Sequence, residues 1–239
     1  MSESTSPLAA PLVEATGLTK RYGSIAALDG FDVSLGPGQV VGLLGENGCG
    51  KTTLLKILAG VLSGYEGEVR IGGHEPGPRS KALVSFLSDT SFLPDAARVS
   101  YCLELYRDFF ADFQVEKARD LIGFFGLSET SRLKEMSKGM REKVQISLAM
   151  SRDARVFLLD EPISGVDPAA RQLILDGILR TLSEDSLLLI STHLVHDLEP
   201  ILDAVVMMRH GRVQLQGDAD DLRGTHAASL DQIFRETYR

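Results

Sequence analysis

Of all the features of this sequence, the stretch GENGCGKTT, residues 45–53, places the strongest constraint on the fold. It matches the pattern G-x-x-x-x-G-K-[ST], and it lies between a strand-like apolar run at 40–45 and a helical pattern at 51–62. Gly48 and Gly50 let the backbone wrap closely around phosphate groups, so that N–H groups and the helix N-terminus face the anion. The sequence therefore predicts a phosphate-binding loop, hereafter the phosphate loop, between a strand and a helix.

The side chains of the phosphate loop predict a nucleoside triphosphate as the ligand. Lys51 is placed to reach the β- and γ-phosphates, and Thr52 offers its hydroxyl to Mg²⁺. A glycine-rich turn that only caps a helix is the alternative, and the Lys-Thr pair with the correct flanks argues against it. The predicted nucleotide-binding residues of the loop are Gly45, Asn47, Gly48, Cys49, Gly50, Lys51, Thr52 and Thr53.

Strand-like runs alternate with helical patterns along the chain, which predicts an α/β fold with a mostly parallel sheet. The runs typical of strands cover 40–45, 68–73, 82–88, 155–160, 186–192 and 204–217, the last with a hairpin turn. The helical patterns cover 51–62, about 100–111, 115–126, 138–151, 168–182 and 196–202. Residues about 90–150 hold helical patterns and no convincing strand, so we expect a helical lobe inserted there. Residues 1–11 are expected to form a flexible N-terminus, 12–217 the main domain and 218–239 a short helical tail.

Composition narrows the classes of function. The chain of 239 residues fits one large domain, or one domain with an inserted lobe. Its net charge of −8 argues against broad binding to nucleic acid, and we expect no nucleic-acid partner. Two cysteines do not suggest a disulfide framework. The N-terminus lacks a signal pattern, and no apolar run approaches the roughly 18–20 residues of a membrane span. We therefore expect a cytosolic protein that acts at a membrane only through a partner.

Two further strand ends deliver polar residues. The run RVFLLDEP, residues 155–162, ends in Asp160 and Glu161, at the edge where α/β sheets place ligands. Asp160 is expected to hold Mg²⁺ through water, and Glu161 to polarise the attacking water near the γ-phosphate. His193 follows another apolar strand, so its neutral imidazole can reach the γ-phosphate and the Glu161 region. Read alone, each of these residues is an ordinary strand end.

Taken together, the motifs resemble the nucleotide-binding subunits of ATP-binding cassette (ABC) transporters, from about Val13 to Gly217. The resemblance rests on GENGCGKT as Walker A, VFLLDEP as Walker B, SGVDP at 164–168 as the D-loop, and His193 as the switch histidine. Tyr22 matches the aromatic residue that stacks on adenine in this family. The resemblance implies a P-loop NTPase fold with a mostly parallel core sheet, an antiparallel β subdomain and an inserted helical lobe. It also implies an ATPase that uses Mg²⁺.

The pentapeptide MSKGM, residues 136–140, occupies the place of the signature motif, usually L-S-G-G-Q in that family. Locally it is a helix start that Ser137 can cap. Ser137 and Gly139 match the motif, whereas Met136, Lys138 and Met140 depart from it. The S-K-G-M form resembles the bacterial export branch, whose ATPase chains pair with separate membrane subunits. Lys138 either offsets the charge of Asp89 or faces solvent.

Two other departures concern the predicted site. Asp89 stands where the family places a glutamine that touches Mg²⁺ and water, and its carboxylate is itself a Mg²⁺ ligand type. We expect weaker affinity for MgATP or a changed Mg²⁺ dependence. Cys49 stands where the family more often has Ala or Ser. It is either a small filler or a thiol whose pKa is lowered by the helix N-terminus.

The resemblance also implies an assembly. Two chains pair head to tail, and each ATP lies between the phosphate loop of one chain and Ser137 and Gly139 of the other, with Asp167 communicating across the interface. The second ABC ATPase chain is either another copy of this chain, which gives a homodimer, or a different chain, which gives a heterodimer. An integral-membrane transporter subunit is expected at a cleft beside residues about 88–106, and the expected activity is ATP-driven export.

Other classes of protein fit less well. A soluble ABC-type ATPase of translation or DNA repair is the alternative, but such chains usually fuse two cassettes or carry long coiled-coil insertions. Guanine-specific GTPases use an Asn-Lys-x-Asp loop, and the only asparagine here is Asn47, inside the phosphate loop. Glu161 and His193 argue against a purely regulatory module that does not hydrolyse ATP.

Overall fold

A computed structural model describes residues 10–238, and every structural statement here concerns those residues. The expected flexible N-terminus lies almost wholly outside them. The strands are β1 (Val13–Tyr22), β2 (Ile25–Leu35), β3 (Gln39–Leu44), β4 (Glu66–Ile71), β5 (Val84–Leu87), β6 (Val156–Asp160), β7 (Leu187–Thr192), β8 (Ala204–Arg209) and β9 (Arg212–Asp218). The helices are α1 (Lys51–Leu58), α2 (Pro78–Leu83), α3 (Val99–Phe109), α4 (Val115–Phe124), α5 (Lys138–Met150), α6 (Pro168–Leu179), α7 (Val195–Leu198), α8 (Ala219–His226) and α9 (Leu230–Thr237).

The main sheet has the strand order β5-β6-β7-β3-β8-β9. Neighbours from β5 to β8 are parallel, and β9 pairs antiparallel with β8. The mostly parallel core sheet is therefore confirmed. Residues of β3, β6 and β7 are buried on both faces of the sheet, which explains their continuous apolar runs. The carboxyl ends of these three adjacent strands meet at one edge, with Asp160 beside Ser191 and Leu44 beside Thr192.

A second, antiparallel sheet has the order β2-β1-β4. It is the antiparallel β subdomain that the resemblance implies, although pattern reading assigned neither β1 nor β2. Register shifts interrupt β1, one of them between Ala15 and Leu18, around Gly17. Gly17 and Gly30 have positive φ angles. These irregularities disrupt the alternation of period two on which strand recognition depends.

Two other expectations need correction. The run 82–88 is not strand throughout, because α2 occupies residues up to Leu83 and β5 begins at Val84. The helical pattern 196–202 is one α-helical turn, α7, followed by a 3₁₀ turn over Glu199–Ile201. Pro200 has no N–H to donate, so an α-helix cannot continue through it without losing a hydrogen bond.

Apolar residues form three clusters. One lies between the main sheet and α5, α6, α7 and α9, and another lies between the two sheets around α1. The third joins α3, α4 and α5, with Leu103, Ile122 and Leu148 among its buried residues. Within residues 10–238, no helix is long and apolar enough to cross a membrane. The division into a cassette at 12–217 and a tail at 218–239 stays a prediction.

Candidate nucleotide site

The phosphate loop joins the end of β3 to the start of α1. Gly48 and Gly50 have φ angles of +81° and +115°, which glycine adopts without steric cost. A Cβ added at Gly50 would lie 2.2 Å from the carbonyl oxygen of Ala27, so no larger residue fits there. The N–H of Gly211 donates to the carbonyl of Cys49 over 2.9 Å, which ties the loop to the turn after β8. The loop backbone is thus fixed from two sides.

The ammonium group of Lys51 lies inside the phosphate loop. Its Nζ donates to the carbonyl oxygens of Gly45 at 2.6 Å and Glu46 at 3.2 Å, and it lies 3.4 Å from Oε1 of Glu161. The residue is only 5% exposed. Burial leaves this charge poorly screened by solvent, so it is suited to attract an anion entering the loop.

Asp160, the last residue of β6, is buried with 1% exposure. Its Oδ1 accepts a hydrogen bond of 2.5 Å from Oγ of Ser191, while Oδ2 has no hydrogen-bond partner among residues 10–238. Burial raises the pKa of Asp160; the hydroxyls of Ser191 and Thr52 oppose this, and the charges of Asp89 and Glu161 add to it. A buried carboxylate oxygen without a partner, beside the Thr52 hydroxyl, is suited to a cation.

Glu161 has a left-handed backbone with φ of +50°, which is uncommon for a residue other than glycine. Its N–H donates to both the carbonyl oxygen and Oγ of Ser191, at 3.2 and 3.0 Å. Its Oε2 lies 3.0 Å from Nδ1 of His193. The strand end therefore turns the carboxylate toward both His193 and Lys51.

Ser191 was missed by sequence reasoning. It is fully buried in β7, and its hydroxyl binds the Asp160 carboxylate and the Glu161 N–H together. The signal that could have revealed it is a small polar residue near the end of an otherwise apolar strand, LLLIST. Such a residue in the interior needs a hydrogen-bond partner, and here the partners are two predicted site residues.

The structure brings eight of the predicted site residues together in the lining of one pocket, of about 220 Å³. Asp89 accepts hydrogen bonds from the hydroxyls of Ser88 and Thr90, at 3.1 and 3.2 Å, and its side chain faces the phosphate loop across the pocket. The pocket is lined by Ala27, Asn47, Gly48, Gly50, Lys51, Thr52, Thr53, Asp89 and Glu161.

An adjoining cleft of about 250 Å³ contains one departure of the signature pentapeptide, Lys138. A Cβ added at Gly165 would lie 2.4 Å from Nζ of Lys138, so the lysine lies directly over the D-loop. Lys138 is exposed and lines this cleft together with Asp89, but among residues 10–238 no ion pair joins the two side chains, so both alternatives for Lys138 stay predictions. Burial raises the pKa of Glu142 to about 7, and the charge of Lys138 opposes that rise. The cleft is lined by Asn47, Asp89, Lys138, Glu142, Glu161, Ser164 and His193.

Six predicted nucleotide-binding residues line neither the pocket nor the cleft, and two of them, Gly45 and Cys49, belong to the phosphate loop itself. Tyr22 is 50% exposed at the end of β1. Ser137 caps α5 by accepting from the N–H of Met140 at 3.2 Å, as its local pattern predicts. Asp167 caps α6 in the same way. Gly139 lies beside Val166 of the D-loop. The roles proposed for these residues across a dimer interface stay predictions.

The alternative of a low-pKa thiol at Cys49 is wrong. The residue is 7% exposed, and burial raises its pKa, although the nearby Lys51 charge opposes the rise. The field of a helix N-terminus does not overcome the loss of hydration at this position. Cys49 instead packs with Gly45, whose added Cβ would lie 2.5 Å from the sulfur. The structure therefore supports the reading of Cys49 as a small filler.

The donor set fits Mg²⁺ shared with a phosphate ligand. Among residues 10–238, no group of three or more His, Cys, Asp or Glu side chains is gathered as a complete metal site. Mg²⁺ usually keeps waters and binds through one or two carboxylates plus substrate phosphates. Asp160, with its unpartnered Oδ2, supplies such a carboxylate beside Thr52, and Asp89 faces the same pocket.

Comparison with known proteins decides the family. A family model described as ABC transporter matches residues 28–164, which is more than half of the chain. The chain belongs to this family. The daunorubicin resistance ATP-binding protein of Streptomyces coeruleorubidus is 30% identical over 92% of this chain and 72% of the relative. The Nod factor export ATP-binding protein I of Ralstonia nicotianae is 31% identical over 93% and 72%. An aliphatic sulfonates import ATP-binding protein of Xanthomonas axonopodis pv. citri is 33% identical over 91% and 91%.

Solved structures agree with the family on the fold. An ATP-binding subunit of an ABC transporter superposes with a TM-score of 0.84 at 28% identity, covering 95% of this chain and 100% of that one. The fold is that of the ABC ATPase cassette. Chains of this family bind and hydrolyse ATP, so this ABC chain is an ATPase of a transport system. The family's ATP-binding subunits dimerise and pair with membrane transporter subunits.

Proposed function

We propose that this ABC chain is the ATPase subunit of an exporter, on the cytoplasmic face of the cell membrane. The observation that best supports an ATPase site is that Lys51, Asp160 and Glu161 lie together at one edge of the main sheet. Export as the direction is supported by the S-K-G-M signature and by relatives named for Nod factor export. A relative of similar identity is named for import, so direction needs its own experiment.

The proposed mechanism assigns one task to each side chain. Lys51 and the loop N–H groups bind the phosphates, and Asp160 with Thr52 would hold Mg²⁺, with Asp89 in the lining of the same pocket as a further carboxylate. The metal ion, when bound, supplies positive charge that offsets the charge of the phosphates. Glu161 is the proposed base that polarises the attacking water, and the 3.0 Å contact with Nδ1 of His193 holds its carboxylate in place.

The proposed partner surface for the membrane subunit is an apolar groove on the helical lobe. It has a volume of about 460 Å³ and is lined by Phe92, Leu105, Tyr106, Phe109 and Phe110. Phe92 and Phe109 are 59% and 75% exposed. Large exposed aromatic side chains in one patch are typical of protein interfaces. The groove overlaps the segment at about 88–106 where the resemblance implies docking, and Asp89 connects that segment to the phosphate pocket.

The first step of the test is to find whether a multi-span membrane protein is encoded beside this chain, and the second is to reconstitute the two together. We expect Phe109→Glu to lower ATPase stimulation by the membrane protein, while Val61→Glu, which changes an exposed apolar residue outside both the groove and the segment 88–106, leaves the stimulation unchanged. The ATPase activity of an exporter is stimulated by transported compounds on the side of the membrane that carries the ATPase chain, and it needs no external binding protein. Stimulation only by an external binding protein would indicate import. Association with ribosomes or DNA instead of a membrane protein would favour the soluble alternative.

A further inference from the structure

The chain's last described residue, Tyr238, reaches the base of the phosphate loop. Its hydroxyl donates to the carbonyl oxygen of Met208 and lies 3.4 Å from that of Leu44. Leu44 is the last residue of β3, directly before Gly45, and Met208 lies on the adjacent β8. Burial raises the pKa of Tyr238, so the hydroxyl keeps its proton and remains a donor. One side chain thus bridges the two strands that support the loop.

The same hydroxyl belongs to the packing beneath the loop. A Cβ added at Gly45 would lie 2.5 Å from the sulfur of Cys49, 2.7 Å from the carbonyl oxygen of Met208 and 3.5 Å from the Tyr238 hydroxyl. The first residue of the loop, the buried thiol and the tyrosine hydroxyl therefore share one tightly filled space. A shift of Tyr238 changes the support on which Gly45 and Cys49 rest.

The position of Tyr238 is set by contacts at both ends of α9. At the N-terminal end, the carboxylate of Glu199 accepts from the N–H groups of Leu230 at 2.8 Å and Asp231 at 3.3 Å. Leu230 is fully buried in the main core. At the other end, the guanidinium of Arg209 lies 5.9 Å from the Tyr238 ring centre. The ring of Phe234 packs 4.4 Å from it, centre to centre.

We propose that Tyr238 is a positioning residue for the phosphate loop, and that docking of α9 holds the loop in the conformation that binds ATP. The tyrosine acts through main-chain carbonyls on the side of the loop away from the nucleotide pocket, so it touches no reacting atom. Binding by backbone N–H groups depends on the loop being arranged beforehand, because ordering it during binding costs affinity. Undocking of the tail therefore weakens ATP binding and leaves the catalytic carboxylates in place.

The test compares Tyr238→Phe, which removes only the hydroxyl, and Tyr238→Ala with Tyr65→Phe. Tyr65 is a partly buried tyrosine outside the tail, packed against the core between the two sheets. From the value of one hydrogen bond, we expect Tyr238→Phe to raise KM for ATP about three- to tenfold with kcat within twofold. Tyr238→Ala raises KM at least as much, and Tyr65→Phe leaves it unchanged.

The two cysteines supply an independent readout in the same samples. We expect N-ethylmaleimide to label Cys49 faster in both Tyr238 variants than in the unsubstituted chain, with labelling followed by peptide mass spectrometry. Cys102, buried in the helical lobe, reports general loosening and keeps its rate. The proposal is overturned if KM and Cys49 labelling do not both change, if kcat falls as much as KM rises, or if both cysteines accelerate together.

Discussion

Glu161 shows how one backbone conformation can position the carboxylate that we propose as the catalytic base. A left-handed non-glycine residue costs on the order of 1 kcal/mol or more, and it persists where surrounding contacts fix it. The contacts here are two hydrogen bonds from its N–H to Ser191 and the side-chain contacts with His193 and Lys51. This backbone conformation brings Glu161 into the lining of the phosphate pocket, as its proposed role of base for water requires.

Replacement of this carboxylate by an amide tests its proposed role. We expect Glu161→Gln to bind ATP but to hydrolyse it at least about 10² times more slowly than the unsubstituted chain, because an amide cannot accept the proton from water. The variant accumulates as an ATP-bound dimer, measured by size-exclusion chromatography with light scattering. Glu184→Gln, which alters an exposed carboxylate, serves as the control. Normal turnover by Glu161→Gln would remove Glu161 from the role of base.

Glu142 gives a prediction for pH. Its pKa of about 7 in the folded chain lies above the ordinary value of 4.5, because burial opposes ionisation. Between these two values the folded state keeps a proton that the unfolded state has lost, so this group lowers stability as pH rises from about 4.5 through 7. We expect Glu142→Gln to raise the free energy of unfolding at pH 8 by on the order of 1 kcal/mol, discounted for partial exposure.

Thermal denaturation across the pH range measures this effect. The difference in Tm between Glu142→Gln and the unsubstituted chain should be positive at pH 8 and shrink as pH falls toward 5. Exposed Glu184→Gln should show no such trend. A difference that stays constant with pH would mean that the substitution acts through packing and not through ionisation.

At the scale of elements, α5 and the D-loop form one contact unit. Lys138, the first residue of α5, lies over Gly165, whose φ is +74°. One residue further along, an added Cβ at Gly139 would lie 3.6 Å from the Val166 side chain. The first residues of α5 therefore contact successive residues of the D-loop, which follows Glu161. A displacement of either element would move the other.

This contact predicts coupling between two substitutions. Lys138→Met removes the lysine charge from a cleft that also holds Asp89 and Glu161, so we expect KM for ATP to rise roughly two- to fivefold. Gly165→Ala displaces the ammonium and should produce a similar rise. Because both substitutions disrupt the same contact, the KM of the double variant should not exceed that of the single variant with the higher KM. Steady-state kinetics measure all three, with Lys143→Met, on the same helix but outside the cleft, as the charge control.

Strands that are buried on both faces of the sheet could be predicted from the sequence, whereas strands with an irregular register could not. β3, β6 and β7 are continuous apolar runs because both faces of the main sheet are covered. β1 and β2 were missed because glycines and register shifts break their alternation. In the site, residues within motifs were found from local spacing. Ser191 and Tyr238 were not, since their roles depend on contacts 30 or more residues away along the chain.

At the scale of the whole molecule, the signature pentapeptide reaches its own chain's site only through Lys138, which lines the adjoining cleft. Ser137 is exposed, and neither it nor Gly139 lines the phosphate pocket. The capped N-terminus of α5 nevertheless offers backbone N–H groups, a suitable partner for an anion. In the proposed head-to-tail dimer, that anion is the triphosphate held by the other chain.

The trans role of Ser137 can be separated from its role as a helix cap. In the Glu161→Gln background we expect Ser137→Arg to abolish the ATP-dependent dimer, because a long cation replaces a small hydroxyl at the interface. Ser137→Asp retains a capping side chain but brings negative charge toward the phosphates, so it should fold normally and still fail to dimerise. Ser128→Arg, on the exposed surface of the same lobe, should dimerise like the parent. Light scattering with and without ATP measures the dimer, and circular dichroism measures the fold. A Ser137→Asp chain that dimerises as well as the parent would show that the pentapeptide acts only as a cap.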